Sequence, residues 1–414
     1  MREMKDSGIE WIGAIPQDWQ LSKIGSLYTQ RNEKVSDKDY QPLSVTMQGI
    51  LPQLATAAKT DDGDNRKLVR VGDFAINSRS DRRGSCGISP LDGSVSLINI
   101  ILTPRTVMHP GYYNWLFHTT LFADEFYKWG HGIVADLWTT RWQEMKSITV
   151  PVPEYAEQER IAAFLDAECT EIDAVLEKTR ASIEEYKKLK QAVITQAVTK
   201  GIRGDRPMKD SGIEWIGEIP AEWSVVPFSK FARVSANLVN PSDYQDYLQV
   251  SPENIEKDSG KLLPCKTVSE VGVESWNHFF HKGQILYSKI RPKLNKVCIA
   301  PFDGLCSADM YPIDTDNISK FVVYTILSND FNQQVAMITE NRVKMPKINQ
   351  KELSKIIVVL PANRMEQQEI VDYLDGECGK IDALVAKKQQ YLTEIENYKK
   401  SLIYEYVTGK KEVV

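Results

Sequence analysis

Residues Met4–Trp19 read MKDSGIEWIGAIPQDW, and Met208–Trp223 read MKDSGIEWIGEIPAEW. Thirteen of these sixteen positions are identical, at a shift of 204. A second repeat reads EQERIAAFLDAECTEIDA from Glu157 and EQQEIVDYLDGECGKIDA from Glu366, with ten of eighteen positions matching at a shift of 209. Between these anchors the likeness fades but keeps its order. Val71-Gly72-Asp73-Phe74 corresponds to Lys282-Gly283-Gln284-Ile285, and Pro90, Asp92, Gly93 and Ser96 to Pro301, Asp303, Gly304 and Ser307. A period of about 200 residues is far too long for a solenoid and marks a duplicated half-chain. The expected layout is a linker at 1–19, a globular domain at 20–156 and a helix at 157–207. The same three parts recur at 208–223, 224–365 and 366–414. Such a chain tends to fold with internal pseudo-twofold symmetry, which suits a two-part target.

The repeated segments have helical periodicity. From Ile161 the largely apolar positions fall at Ile161, Leu165, Glu168, Ile172, Val175, Thr179, Ser182, Tyr186, Leu189 and Val193. The steps alternate between four and three residues, the period of a coiled-coil seam. The second helix repeats the pattern through Ile370, Leu374, Glu377, Ile381, Leu384, Lys388, Tyr391, Ile395, Tyr398 and Leu402. No Pro or Gly interrupts Gln158–Lys200, so one helix of roughly 60 Å is expected. Two narrow stripes of this kind are best satisfied by pairing with each other, antiparallel if a twofold relates the halves. The expected pairing residues are Leu165, Ile172, Val175, Leu189, Leu374, Ile381, Leu384 and Leu402. Polar seam residues such as Glu168, Glu377, Thr179 and Lys388 cost stability but specify register.

The variable parts alternate short β-type runs (Leu68–Val71, Val95–Leu102, Gly283–Tyr287) with helical stretches (Tyr112–Trp129, Ser319–Ile338). The fold class read from this pattern is α+β: two mixed α/β domains joined by two long antiparallel coiled-coil helices. Cations cluster at one matched place in each domain. Arg66–Arg83 holds Arg66, Lys67, Arg70, Arg79, Arg82 and Arg83 against Asp73 and Asp81, a balance of +4. Lys282–Lys296 holds Lys282, Lys289, Arg291, Lys293 and Lys296 with no acid. A further run contains Arg342, Lys344 and Lys347, and its counterpart near Gly130–Arg141 offers Arg141. The net charge of the whole chain is −5, yet phosphate binding depends on local potential and not on the sum. Arg and Lys on loops reach phosphates, and Arg also contacts guanine edges. The DNA-binding candidates are therefore Arg66, Arg79, Arg82, Arg83, Arg141, Lys289, Arg291, Lys293, Lys296, Arg342, Lys344 and Lys347.

Catalytic signatures are missing from the sequence. It has no GxxxxGK[ST] loop, no GxGxxG and no Asn/Asp-Pro-Pro-aromatic tetrapeptide. His278 and His281 lack a carboxylate or cysteine companion in sequence, and the six cysteines include no CxxC pair, so no metal site is expected. Asp92 and Asp303 fit turns in which Asp bonds nearby backbone. No apolar run approaches the roughly 20 residues of a membrane span, and the charged start MREMKDSGIEWIG lacks a signal-peptide core. A cytoplasmic location is expected.

The chain resembles the specificity subunits of type I restriction–modification enzymes. The likeness rests on the two KDSGIEWIGxIPxxW linkers and on the two Glu-Gln-headed helices with Leu-Asp-x-Glu-Cys cores, Leu165–Cys169 and Leu374–Cys378. The resemblance implies two target-recognition domains, each reading one half of a bipartite double-stranded DNA sequence. It implies helices that set the spacing and dock two adenine methyltransferase subunits, through which restriction–translocase subunits join. The chain itself would be non-catalytic and bind no cofactor, with S-adenosylmethionine, ATP and magnesium belonging to the partners. An alternative is a coiled-coil assembly scaffold without DNA readout of its own, against which the matched basic loops count.

Overall fold

The computed structural model describes residues 2–53, 63–132, 138–342 and 344–413. One compact unit comprises Met1–Arg180 with Gln390–Val414, and the other comprises Ala181–Gln389. Two long helices, Tyr155–Lys200 and Arg364–Val407, each contribute residues to both units. The two units repeat one α+β topology.

In the first unit a four-stranded antiparallel sheet runs in the order Cys86–Ile88, Phe74–Asn77, Asn99–Pro104, Tyr28–Arg31. In the second unit the order is Val297–Ile299, Ile285–Ser288, Met310–Asp314, Arg233–Val234. A second sheet lies beside each. In the first unit it contains Gly93–Val95, Arg66–Val69 and Lys34–Val35. The second unit has five strands there, including a parallel pair between Leu248–Val250 and Gly304–Cys306. The central strands read as buried runs because both faces are covered: all four residues of Phe74–Asn77 and of Ile285–Ser288 are buried.

Each expected helical stretch is broken once. In the first unit Pro110–Phe117 is followed by Thr120–Lys128, whose cap Thr119 accepts from the Phe122 N–H at 3.2 Å. In the second, Ser319–Leu327 is followed by Asn329–Thr339, and Ser328 accepts from the Phe331 N–H at 3.3 Å. A hydroxyl that satisfies the first free N–H groups lets a new helix start at an angle. The core of the first unit is aromatic, with Trp19, Tyr28, Phe74, Tyr112, Tyr113, Phe117, Phe122 and Phe126 all buried. Trp223, Phe228, Phe231, Tyr287 and Phe331 fill the second.

The repeated sequences build the same joint in each unit. Each linker folds as a hairpin, Met4–Asp6 against Ala14–Pro16 and Met208–Asp210 against Glu218–Pro220. Trp19 at its end donates its indole N–H to Glu157 at 2.8 Å, and Trp223 donates to Glu366 at 3.0 Å. Arg2 pairs with Glu157 and Asp18, and Arg206 pairs with Glu366 and Glu222. The glutamine that follows each glutamate is buried. Gln158 accepts from the His109 N–H at 2.9 Å and Gln367 from the Ile318 N–H at 3.0 Å, each at the start of a helix. The Glu-Gln heads are thus structural, and their identity in both halves reflects one shared packing problem.

The long helices run antiparallel within each unit. In the first, Phe164 meets Tyr406, Asp173 meets Lys399 at 2.6 Å and Arg180 meets Glu396 at 2.6 Å. In the second, Tyr186 lies against Lys388, Lys190 bonds Asp382 at 2.7 Å and Arg203 bonds Glu369 at 2.6 Å. The 3.5-residue seam is present, with one correction. Leu165, Leu374, Ile381 and Leu402 are buried and Ile172 is half-buried, as expected for pairing residues. Val175, Leu189 and Leu384 are instead 41%, 49% and 43% exposed. The second row of the seam falls one residue later, at Cys169, Leu176 and Ile183 on the first helix and at Cys378 on the second, all buried. One residue is a rotation of about 100° on a helix, so only one of the two adjacent rows can face the partner. The earlier row would have buried Glu168 and Ser182 with it, and that desolvation favours the later one.

Candidate nucleic-acid interface

The basic loops leave the central sheet strand at the same place in both units. After Phe74–Asn77 the chain passes through Ser78 to Ser85, and after Ile285–Ser288 through Lys289 to Lys296. Each loop is closed at its base by one backbone bond, Asn77 N–H to the Ser85 carbonyl and Ser288 N–H to the Lys296 carbonyl, both 2.9 Å. Each is then laddered to a second loop from the distant end of its domain. In the first unit Ser80 N–H donates to the Trp138 carbonyl at 2.9 Å and Thr140 N–H to that of Ser78 at 3.0 Å. In the second unit Arg291 N–H donates to the Pro346 carbonyl at 2.8 Å and Ile348 N–H to that of Lys289 at 2.9 Å. The ladders bring together residues more than 50 positions apart. Arg141 arrives beside the Arg79–Arg83 loop, and the Arg342–Lys347 run beside Lys289–Lys296.

The candidate cations fall into three groups. Arg66 does not belong to the surface at all. It is 4% exposed, and its guanidinium donates to the Ser94 hydroxyl and carbonyl, both at 2.9 Å. Alternation along Arg66–Val69 turns Arg66 inward with Leu68, and burial pushes its pKa down. A second group, half-buried or exposed, is tethered to partners within the protein. Lys289 sits 5.2 Å from the centre of the Tyr311 ring, and Lys296 donates to the Pro252 carbonyl at 2.6 Å. Arg342 bonds Glu352 at 2.5 Å, Lys347 bonds Asp309 at 2.9 Å, and Arg83 pairs with Asp124 beside the Tyr127 ring. The third group projects into solvent: Arg79, Arg82 and Arg141 in the first unit, Arg291, Lys293 and Lys344 in the second. Arg82 lies 3.9 Å from Asp81, with both side chains exposed. Arg141 uses its backbone N–H to cap the short helix Trp142–Met145 through Glu144. Val343, inside the second basic run, lies outside the described residues.

Trp138, 39% exposed on the ladder of the first unit, and Met345, 49% exposed beside that of the second, lie at the same faces. Sequence reasoning passed over both, since one isolated apolar residue has no periodic signal. Asp92 and Asp303 act as turn residues, accepting from the Val71 N–H at 2.7 Å and the Lys282 N–H at 2.6 Å. Among the described residues no group of His, Cys, Asp and Glu is placed to hold a metal ion. Burial pushes His278 below the usual imidazole range, which fits packing. No helix of the described residues is long and apolar enough to cross a membrane.

Comparisons with known proteins point to one family. Residues 230–397 match the family model described as type I restriction modification DNA specificity domain. The chain is 34% identical over 286 residues to the type I restriction enzyme EcoDI specificity subunit of Escherichia coli, covering 64% of this chain and 63% of that one. It is 26% identical over 283 residues to a protein named for the specificity subunit of type I restriction enzyme MjaX in Methanocaldococcus jannaschii, with coverage of 65% and 61%. The chain thus spans somewhat less than two thirds of the length of either relative. A solved chain from work on assembly and conformational transition of a type I restriction–modification system superposes with a TM-score of 0.72. That match covers 96% of this chain and 99% of the other at 13% identity, a likeness of fold. The second half of the chain thus matches a type I restriction–modification DNA specificity domain, its first half repeats the same topology, and about two thirds of the chain is similar in sequence to type I specificity subunits.

Proposed function

We propose that this chain is the DNA sequence-reading subunit of a type I restriction–modification complex, each unit reading one half of a bipartite double-stranded target. The observation that carries the reading is the pair of matching ladders, each presenting solvent-facing cations from two distant loops on one backbone-bonded frame: Arg79, Arg82 and Arg141 in the first unit, Arg291, Lys293 and Lys344 in the second. Cations held this way position a duplex through its phosphates, and guanidinium groups on a fixed backbone suit base edges. The long helices set the unspecified gap between half-sites. Their unpaired apolar rows serve as docking surfaces for adenine methyltransferase subunits: Val175, Tyr391 and Tyr398 in the first unit, Leu189, Tyr373 and Leu384 in the second. A row of exposed apolar residues along an otherwise polar helix offers a surface that a partner can cover. Catalysis, and with it S-adenosylmethionine, ATP and magnesium, belongs to those partners and to the restriction–translocase subunits they recruit, in the cytoplasm.

An assembly scaffold without DNA readout has the same helices but no use for the ladders. The test is selection from randomised duplex DNA by the chain with its methyltransferase. Recovery of one bipartite sequence supports the reading. Recovery of unselected DNA, with the methyltransferase bound, favours the scaffold.

A further inference from the structure

The two ladders share a backbone plan but differ at one residue. Ser80 in the first unit and Arg291 in the second occupy the same position, each donating its N–H to the facing loop. Both loops end on a residue of positive φ, Gly84 at 76° and Asn295 at 46°. That left-handed turn is a shared demand of the plan, met by the two residue types that adopt it most readily. Arg291 is different. Its φ of 44° and ψ of 52° place an arginine in the left-handed region, where no described residue of the Ser78–Arg83 loop lies. The plan works without this strain, so the strain is particular to the second unit.

The surroundings hold Arg291 there from both sides. Its N–H is bound to Pro346, its carbonyl accepts from the Leu294 N–H at 2.8 Å, and buried Pro292 follows it. Its side chain is exposed, with neither an ion pair nor a side-chain hydrogen bond among the described residues. Lys289, Lys296, Arg342 and Lys347 around it are all tethered. Lys293 and Lys344 are free to project, but an ammonium is a point charge without a fork. A fixed backbone, a free planar guanidinium and local strain unneeded by the fold coincide at this one residue. Strain that the surrounding structure maintains is characteristic of functional positions.

We infer that Arg291 is a specificity-determining residue of the second unit, reading the O6/N7 edge of a guanine in the major groove. This rests on the DNA-reading function proposed above and names the chemistry of one contact within it. The planar guanidinium carries the fixed donor fork that two parallel N–H···O/N bonds need, and the bonded backbone fixes the point from which its stem departs.

The experiment uses the full chain bound to its methyltransferase and randomised duplex DNA, with wild type, Arg291→Lys and Arg291→Gly compared. Wild type is expected to select a guanine at one position, and both variants to lose about 10- to 100-fold discrimination there while keeping the rest of the site. Arg291→Gly, which relieves the left-handed strain, is expected to be at least as heat-stable as wild type, separating the loss of reading from misfolding. An unchanged selected sequence in both variants overturns the inference while leaving the DNA-reading function intact. Equal weakening on every duplex, with a reduced salt slope, overturns it in favour of a phosphate contact. A wild type that selects no sequence at all overturns the proposed function and this inference together.

Discussion

Trp223 and Glu366 meet at 3.0 Å, the indole N–H donating to a carboxylate that also receives the Arg206 guanidinium at 2.5 Å. Glu366 is 3% exposed, and these two donors satisfy its buried carboxylate oxygens. Arg206 in turn lies 5.4 Å from the centre of the Trp223 ring. Removing the carboxylate leaves a half-satisfied buried guanidinium, whereas removing the indole donor leaves the ion pair. Glu366→Ala is expected to destabilise the second unit by about 3 kcal/mol, and Trp223→Phe by about 1–2 kcal/mol. Urea unfolding of both variants checks the order; a larger loss for Trp223→Phe would contradict it.

Adjacent residues on the first long helix should behave oppositely. Leu176 and Ile183 lie in the seam, Val175 and Leu189 outside it. Leu176→Ala and Ile183→Ala are expected to cost about 2–4 kcal/mol each. Val175→Ala and Leu189→Ala should change stability by no more than about 0.5 kcal/mol while weakening co-purification of the methyltransferase. Normal co-purification after both surface substitutions would remove the docking role from this row.

Gly409 has a φ of 70°, and a Cβ there would stand 2.5 Å from two Pro16 carbons and 3.0 Å from the Trp19 ring. Gly8 has nearly the same φ but open space around it. Gly8→Ala should therefore show only the conformational penalty of about 1–2 kcal/mol, and Gly409→Ala distinctly more. Melting temperatures of the two variants decide the matter, and equal shifts would mean that the hairpin yields to the added methyl.

Burial pushes the His118 imidazole below its ordinary value near 6.5, although Nδ1 lies 2.6 Å from the Asn114 carbonyl oxygen. The folded state therefore holds the neutral ring, and the unfolded chain takes up the proton first as pH falls. The contribution of this group is complete above about 6.5 and is lost progressively below it. Wild type should lose more stability between pH 7 and 5.5 than His118→Gln does. Parallel pH profiles for the two proteins would contradict this.

The sequence alone showed the duplication, the α+β class, the antiparallel helices and the approximate position of the basic loops. It could not show which of two adjacent heptad rows faces inward, because Val175 and Leu384 are as apolar as Leu176 and Val385. The choice depends on burying Glu168 and Ser182 or leaving them in water. Charge counting likewise included Arg66, whose inward direction follows from strand pairing. The division of the cations into tethered and projecting groups depends on Asp309, Glu352, Asp124 and Tyr311, which are remote in sequence from the cations they hold. The Glu-Gln heads carry a recognisable sequence pattern, yet what holds them lies far off in sequence: Trp19 and Trp223 at the ends of the linkers, and Arg2 and Arg206 just before the linker repeats.

Backbone N–H and carbonyl groups join the ladders that carry the candidate reading residues, at Ser80, Trp138, Thr140 and Ser78 and at Arg291, Pro346, Ile348 and Lys289. Backbone bonds are indifferent to most side chains. Exposed positions on these loops can therefore exchange residues with little penalty to folding, while the Arg–Glu–Trp joints fix the scaffold at some distance from them. Such separation makes recognition evolvable: new preferences can arise by single substitutions on a standing frame, without an intermediate that fails to fold.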